Sequence, residues 1–436
     1  MSDYKLLIGG QLVEGDGTLE VINPALGEAF VTVPRASAAQ ADEAIKAAKA
    51  AYPGWAETPF AQRQAKLIEL ADAIAADGDN LARLLVQEQG KPFAEAQGEV
   101  AWTEGYLRHY ATLELPDRVI QDDEQAHIVV KHRPLGVVVG IIAWNFPLLV
   151  ACWKIGPAVL AGNSIILKPA PTTPVTALAD VAKIGFTGST ATGKRIAASS
   201  ADTLKRVTLE LGGNDPAIVL EDVDVRETAL AIFNGAFLNC GQVCLAVKRA
   251  YVHESIYEAM CDELARLAQE AVVDDGLKQG TNIGPIQNRA QFEKVKGFLE
   301  AARRDGKIIA GGEAMERAGY FIQPTIVRDI SDGHTIVDEE QFGPILPVIA
   351  FSDVDDVVRC VNSSEYGLGG SIWSKDVERA AAIAERIESG QMWVNHRIAI
   401  GPHIPMAGFK KSGLGVEQSV EGLAEYTQLQ VINIKR

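Results

Sequence analysis

The sequence predicts an α/β fold made of a doubly wound parallel sheet, a second α/β unit and a small β element. Two observations carry that prediction. Strand-like and helix-like runs alternate along most of the chain, and the strand-like runs are near-continuous blocks of Val, Ile and Gly, as parallel strands buried on both faces require. The 436 residues suffice for roughly three domain-sized units or two large ones, which excludes a single small module.

Residues 135–153 (LGVVVGIIAWNFPLLVACW) carry no charge and are nearly long enough to span a bilayer. Their β-branched first half, the interruption at Asn145 and Pro147, and the helix-like continuation instead predict a buried strand, a turn and a helix. After the helix LLVACWKIGPAVLAGN come a strand SIILKP, a strand AKIGFT entering the helix STATGKRIAASSA, and a strand RVTLELGG. A ligand is expected at the carboxyl ends of such strands. From about residue 213 the alternation resumes, in KRAYVHESIYEAMCDELARLAQEAV and from DVDDVVRCVNSSEYGLGGSIWS to MWVN. Residues 115–133 and the final strand YTQLQVINI fit neither unit and are candidates for edge pairing with another subunit.

Composition narrows the function. Hydrophobic residues at 47% and charged residues at 22% describe an ordinary globular protein. A net charge of -16 disfavours general nucleic-acid binding, which needs a clustered excess of Lys and Arg, and leaves a small molecule as the expected substrate. Five irregularly spaced cysteines argue against a disulfide framework and for a reducing compartment. The start MSDYKLLIGGQLVEGDG lacks a basic segment followed by an apolar one, so the cytoplasm is the expected address.

Cys244 lies in FLNCGQVCLA, where Gly241 permits a tight turn and the neighbours are small and uncharged. A nucleophile fits there, although an isolated cysteine is more often a small buried hydrophobe. Cys240 adds the readings of a metal pair or a redox couple, but no second Cys/His pair stands at ligand spacing, so no metal site is expected. Glu210 ends an apolar strand, where burial would raise its pKa and suit it to general-base work; taken alone, an exposed strand-end carboxylate is the commoner case. Asn145, in the turn WNFP, could aim its amide at a developing oxyanion or simply make the turn.

Residues 188–194 (GSTATGK) match the first seven positions of a phosphate-binding P-loop. Arg195 stands where that motif needs Ser or Thr, yet a nucleotide hydrolase remains a rival from a different class.

The order of motifs decides between them. WNFP, LKPAPTTP, GFTGST, LELGGNDP, FLNCGQVCLA, EEQFGPILPV and PMAGFKKSGLG follow one another over nearly the whole chain, and together they resemble the aldehyde dehydrogenase superfamily of the NAD(P)-dependent, non-acylating type. The resemblance implies that Cys244 attacks the aldehyde carbon to give a thiohemiacetal, with Asn145 and the Cys244 N–H holding the oxyanion. Hydride transfer to NAD or NADP leaves a thioester, which water activated by Glu210 hydrolyses to the acid. Lys154 is tied to proton relay in the family. Relatives that pass the thioester to CoA generally lack the carboxylate that Glu210 supplies, so hydrolysis is expected here.

By the same matching, Lys168 reaches the adenosine ribose, and Gly188 and Ser189 meet the pyrophosphate at a helix N-terminus. Glu340 and Phe342 hold the nicotinamide ribose and ring, and Trp144 is a further cofactor-binding residue. Pro171 stands where members preferring NAD often carry a glutamate, which leaves NAD and NADP both open. Phe146, Val150, Trp153, Val243, Leu245 and His403 outline a mostly apolar pocket suited to an aliphatic or aromatic aldehyde. The domains implied are a cofactor-binding domain over 1–115 and 135–212, a catalytic domain over 213–411, and an oligomerisation element over 116–134 and 427–436. A homodimer or homotetramer follows, with no nucleic-acid or membrane partner.

One departure stands out. Between TPVTALAD and VAKIGFTGS the helix, strand and helix that the resemblance implies, roughly 30–40 residues, are missing near 179–180. Losing a central strand would bare hydrogen-bonding edges at a cost a domain could hardly bear, while the flanks read intact. The expectation is that the molecule carries residues there that the sequence as written omits, and a continuous 3.8 Å Cα spacing would count against it. A catalytically silent member with a binding or assembly role is the second reading of function.

Overall fold

A computed structural model describes residues 4–170, 183–201 and 203–436. After two N-terminal strand pairs and three helices, α1 (Phe93–Tyr110) leads into β1 (Arg118–Asp122) and β2 (Ala126–Pro134). Then come β3 (Val137–Ile141), α2 (Pro147–Leu160), β4 (Ser164–Lys168), β5 (Lys183–Thr187), α3 (Thr190–Ala201) and β6 (Arg206–Glu210). The second unit contains β7 (Asp215–Val219), α4 (Val225–Phe237), β8 (Val247–His253), α5 (Tyr257–Glu270), β9 (Lys307–Ala310) and β10 (Thr325–Arg328). It continues through β11 (Ile345–Phe351), β12 (Gly369–Trp373) and β13 (Gln391–Val394), and the chain ends with β14 (Gly413–Leu414) and β15 (Thr427–Lys435).

The uncharged stretch is a strand, a turn and a helix. Every residue of β3 is buried, and Pro147 begins α2, where its missing N–H costs nothing. Among the described residues no helix is long and apolar enough to cross a membrane.

The first sheet has the order β14-β6-β5-β3-β4, with β14 antiparallel and the remainder parallel. Helices α1 and α2 pack beside it through paired positions: Glu99 accepts from the N–H groups of Leu148 and Leu149, and the Cys152 thiol donates to the Thr103 carbonyl. This sheet corrects one expectation. Because β3 pairs directly with both β4 and β5, a strand inserted after β4 can join only at an edge. Its loss would not open the middle of the sheet, so the stability argument against a true deletion is weaker than a central position would make it. The expected gap itself falls at 171–182, outside the described residues.

The second sheet runs β9-β10-β11-β8-β7-β12-β13 and encloses the larger core, with Ala217, Ile218, Val252, Ile326 and Ile372 fully buried. Each such Val or Ile stabilises the fold by about 1.5–3 kcal/mol relative to exposure. A third sheet, β15-β2-β1, joins the two segments that matched neither unit: β15 pairs with β2 from Thr427↔Pro134 to Lys435↔Ala126.

Candidate active site

The carboxyl ends of the parallel strands deliver the residues singled out by sequence. Asn145 follows β3, Lys168 ends β4, Gly188 and Ser189 follow β5, and Glu210 ends β6. Gly188 N–H donates to the Glu210 carbonyl at 3.0 Å, which ties two of these ends together. The loop carrying Cys244 comes from the other unit, between α4 and β8.

That loop is unusual backbone. Asn239, Cys240 and Gly241 have φ of 51°, 58° and 72°, three successive left-handed residues that need outside support. Gly241 cannot be replaced freely, because a Cβ there would stand 2.3 Å from the Gly343 carbonyl oxygen in the EEQFGP segment. Support comes from side chains. Asn239 donates to the Asn145 carbonyl at 3.0 Å and accepts from Gln89 at 2.8 Å, while its N–H donates to Glu95 at 3.0 Å. The Asn145 amide donates to the Gln242 carbonyl at 3.1 Å, close to the thiol-bearing residue.

Cys244 is half-buried, and the nearby Glu210 carboxyl bears on its thiol electrostatically. Glu210 is 5% exposed with one oxygen lacking a partner, and burial raises its pKa to about 7. Burial also pushes the Cys244 thiol well up, with Glu210, Asp215 and Glu340 adding to the shift. Cys240 is fully buried and its thiol is raised by the same cause, so the two cysteines differ in access. All five cysteines are free. Among the described residues no cluster suits a metal ion.

Trp144 and Phe342 meet edge to face at 5.4 Å, and Glu340 accepts from the Gly213 N–H at 3.1 Å. Burial raises the Glu340 pKa and lowers that of Lys168. Val150, Trp153, Val243 and Leu245 are buried in one cluster, with Phe146 and Cys244 packed against it. His403 is exposed, its ring 6.3 Å from that of His109. The P-loop reading loses its physical basis: a Cβ on Gly193 would come 2.4 Å from the Leu211 side chain, so this glycine serves helix-to-sheet packing, and Lys194 is exposed.

Several charged residues of the site escaped the sequence reading. Glu417, just past the last motif, is one: it pairs with Lys154, which the sequence did single out and which is fully buried. Lys91 and Glu99, Lys248 and Asp215 are likewise buried. Lys248 in CLAVKRAYV and Asp215 in GGNDPAIVL interrupt apolar runs, the one signal that could have marked them.

A half-buried free cysteine and a buried carboxyl brought together at the carboxyl ends of a doubly wound sheet fit the class of α/β enzymes that work through a reactive cysteine. Comparison with known proteins identifies the family. Its sequence profile, the Aldehyde dehydrogenase family, matches residues 12–179 and 178–432. An aldehyde dehydrogenase of a Fusarium species is 36% identical over 460 residues, covering 98% of this chain and 97% of its own. The phenylacetaldehyde dehydrogenase of Pseudomonas fluorescens is 37% identical over 478 residues, covering 97% and 94%. Among solved structures, the NAD+ complex of an aldehyde dehydrogenase from Bacillus cereus superposes with a TM-score of 0.96 at 33% identity, covering 100% of this chain and 97% of that one. The chain belongs to the aldehyde dehydrogenase family and is an aldehyde-oxidising enzyme. Both alignments are longer than the 436-residue chain, so these relatives carry residues with no counterpart here, and the profile match divides at 178–179.

Proposed function

We propose that this enzyme oxidises an apolar aliphatic or aromatic aldehyde to its carboxylic acid through a thioester on Cys244. The observation that carries the reading is that the strand end holding Glu210, buried with an unpartnered oxygen, and the loop holding the half-buried Cys244 come together, so that each group shifts the other's pKa. Bound NAD or NADP supplies the hydride acceptor. The residues present suit it: Ser189 stands at the N-terminus of α3, where a pyrophosphate is favoured, Trp144 and Phe342 meet edge to face, and Glu340 bears on Cys244.

Cys244 attacks the carbonyl carbon as a thiolate, its proton passing to Glu210, and the new alkoxide is held by the Asn145 amide and the Cys244 N–H. Once the carbon has lost its hydride, Cys244 carries a thioester. Glu210, ionised again, takes a proton from water as that water attacks, and the carboxylic acid leaves with the thiol restored. The buried Lys154–Glu417 pair, whose charges bear on Glu210, relays the proton outward. The apolar walls around Phe146, Val150, Trp153 and Val243 favour substrates without a second carboxylate.

The first sheet with its flanking helices is the cofactor-binding domain, the second sheet the catalytic domain. The β15-β2-β1 sheet builds a homodimer or homotetramer, since Leu429, Val431 and Ile434 are 61%, 63% and 52% exposed on a long edge strand. Free cysteines fit a reducing cytoplasm. The test is to incubate the purified protein with a panel of aldehydes and NAD or NADP while following the absorbance of reduced cofactor. Turnover of apolar aldehydes is expected; no turnover with either cofactor, alongside tight Mg-ATP binding, would overturn the reading.

A further inference from the structure

Behind the nucleophile loop lies a buried cation that the scheme above does not use. Lys248, on β8, is 1% exposed, and its Nζ donates to the Gly241 carbonyl at 2.9 Å and to the Val243 carbonyl at 2.8 Å. The second of these belongs to the residue before Cys244, so the ammonium is pinned to the backbone that presents the thiol. It also faces the Phe342 ring, 5.3 Å from the centroid. The three left-handed residues that precede this point are strained backbone that outside contacts must hold, and the two Lys248 hydrogen bonds are among those contacts.

The charges around Cys244 make the cation more than a fastener. Three carboxyls face the thiol from three elements: Glu210 from β6, Asp215 from β7 and Glu340 from the EEQFGP segment. Asp215 is 3% exposed, and one of its oxygens has no partner. Each carboxylate opposes a second negative charge on sulfur. Lys248 is the cation set among them: burial lowers its pKa, and Glu340, Asp215 and Cys244, in that order, oppose the shift by favouring the ammonium. Of the other nearby lysines, Lys154 is bound to Glu417 and Lys294 donates to the Glu340 carbonyl from the exposed side. A thiolate is the reactive form of cysteine, and a neighbouring ammonium favours it.

We propose that Lys248 is a positioning residue for this reaction, holding the 241–243 turn in shape and supplying the positive charge against which the Cys244 thiolate forms. The proposal rests on the reading of Cys244 as the nucleophile.

The test follows alkylation of Cys244 by iodoacetamide across pH, quantified on the Cys244 peptide because Cys360 is also part-exposed. Lys248→Met removes charge and hydrogen bonds, Lys248→Gln keeps a donor without charge, and Lys248→Arg keeps the charge. The alkylation inflection is expected to rise by about one pH unit or more in the Met and Gln variants, slowing reaction near pH 7 about tenfold. The Arg variant should stay near wild type. An unshifted inflection in Lys248→Gln overturns the proposal, whether or not Lys248→Met is affected, because hydrogen bonding alone would then explain the residue. Should Lys248→Met fail to fold, the Gln and Arg variants carry the comparison. Alkylation needs no turnover, so a protein that oxidised no aldehyde would refute the proposed reaction and leave this experiment readable.

Discussion

Lys91 Nζ lies 2.5 Å from Glu99 Oε2 with neither side chain exposed, and the two ends of this ion pair grip one turn. Lys91 donates to the Asn145 carbonyl at 3.0 Å and sits over the Phe146 ring, while Glu99 accepts from the first free N–H groups of α2. Asn145 is thereby fixed from an element more than forty residues away in sequence.

Removing one partner should expose how much that grip matters. Lys91→Met leaves Glu99 buried without its cation and is expected to cost about 3–5 kcal/mol in chemical denaturation. Where the variant still folds, the hydride burst should slow, because Asn145 loses a tie. A cost below about 1 kcal/mol with an unchanged burst would mean the pair does not hold the turn.

The two cysteines of the loop separate by function. Cys244→Ala should abolish aldehyde oxidation, whereas Cys240→Ala, which trims a fully buried thiol, should keep most of it. Equal loss in both variants would remove Cys244 from the nucleophile's place.

Glu210→Gln should give one burst of reduced cofactor per subunit and then stall, since the thioester lacks its base. In the wild type, turnover limited by this step should rise with pH through about 7, where the buried carboxyl ionises. The same shift bears on stability. The folded chain keeps this proton to about pH 7 and the unfolded chain only to about 4.5, so the contribution is complete below 4.5 and lost as pH rises through about 7. Glu210→Gln should therefore be more stable than wild type at alkaline pH. Steady turnover without a burst would exclude Glu210 from the mechanism.

Lys194 and Gly193 offer a check on the phosphate-loop pattern. Lys194→Ala, at an exposed position, should leave oxidation near wild type, while Gly193→Ala should cost about 1–3 kcal/mol by crowding Leu211. Loss of Mg-ATP binding on Lys194→Ala would revive the hydrolase reading.

Assembly is testable at the last strand. Replacing Leu429 and Val431 with Arg should shift the protein toward monomer in analytical ultracentrifugation, as charge disfavours edge pairing. An unchanged sedimentation profile would place the interface elsewhere.

Much of this was legible in the chain. The order of motifs marked the family, and the alternation of apolar strand and helix marked two α/β units, because both are local patterns that survive without knowledge of the fold. Cys244, Glu210, Asn145 and Lys168 could be named because the ordered motifs, through the family resemblance, give each a place, while each residue taken alone read as ordinary.

The charges that surround them could not. Lys91 and Lys248 read as ordinary lysines and Lys154 was marked only by the family resemblance; the folded chain alone shows each of them buried, beside Glu99, the 241–243 carbonyls and Glu417 respectively. The order of the first sheet was equally hidden, and only it shows that a strand inserted after β4 could join the sheet at an edge alone. Sequence thus determined which residues could do the chemistry, since bond-forming groups declare themselves by type and local spacing. Tertiary structure decided which charges act on them, because desolvation and pairing depend on neighbours that the chain brings together from as far apart as Lys154 and Glu417.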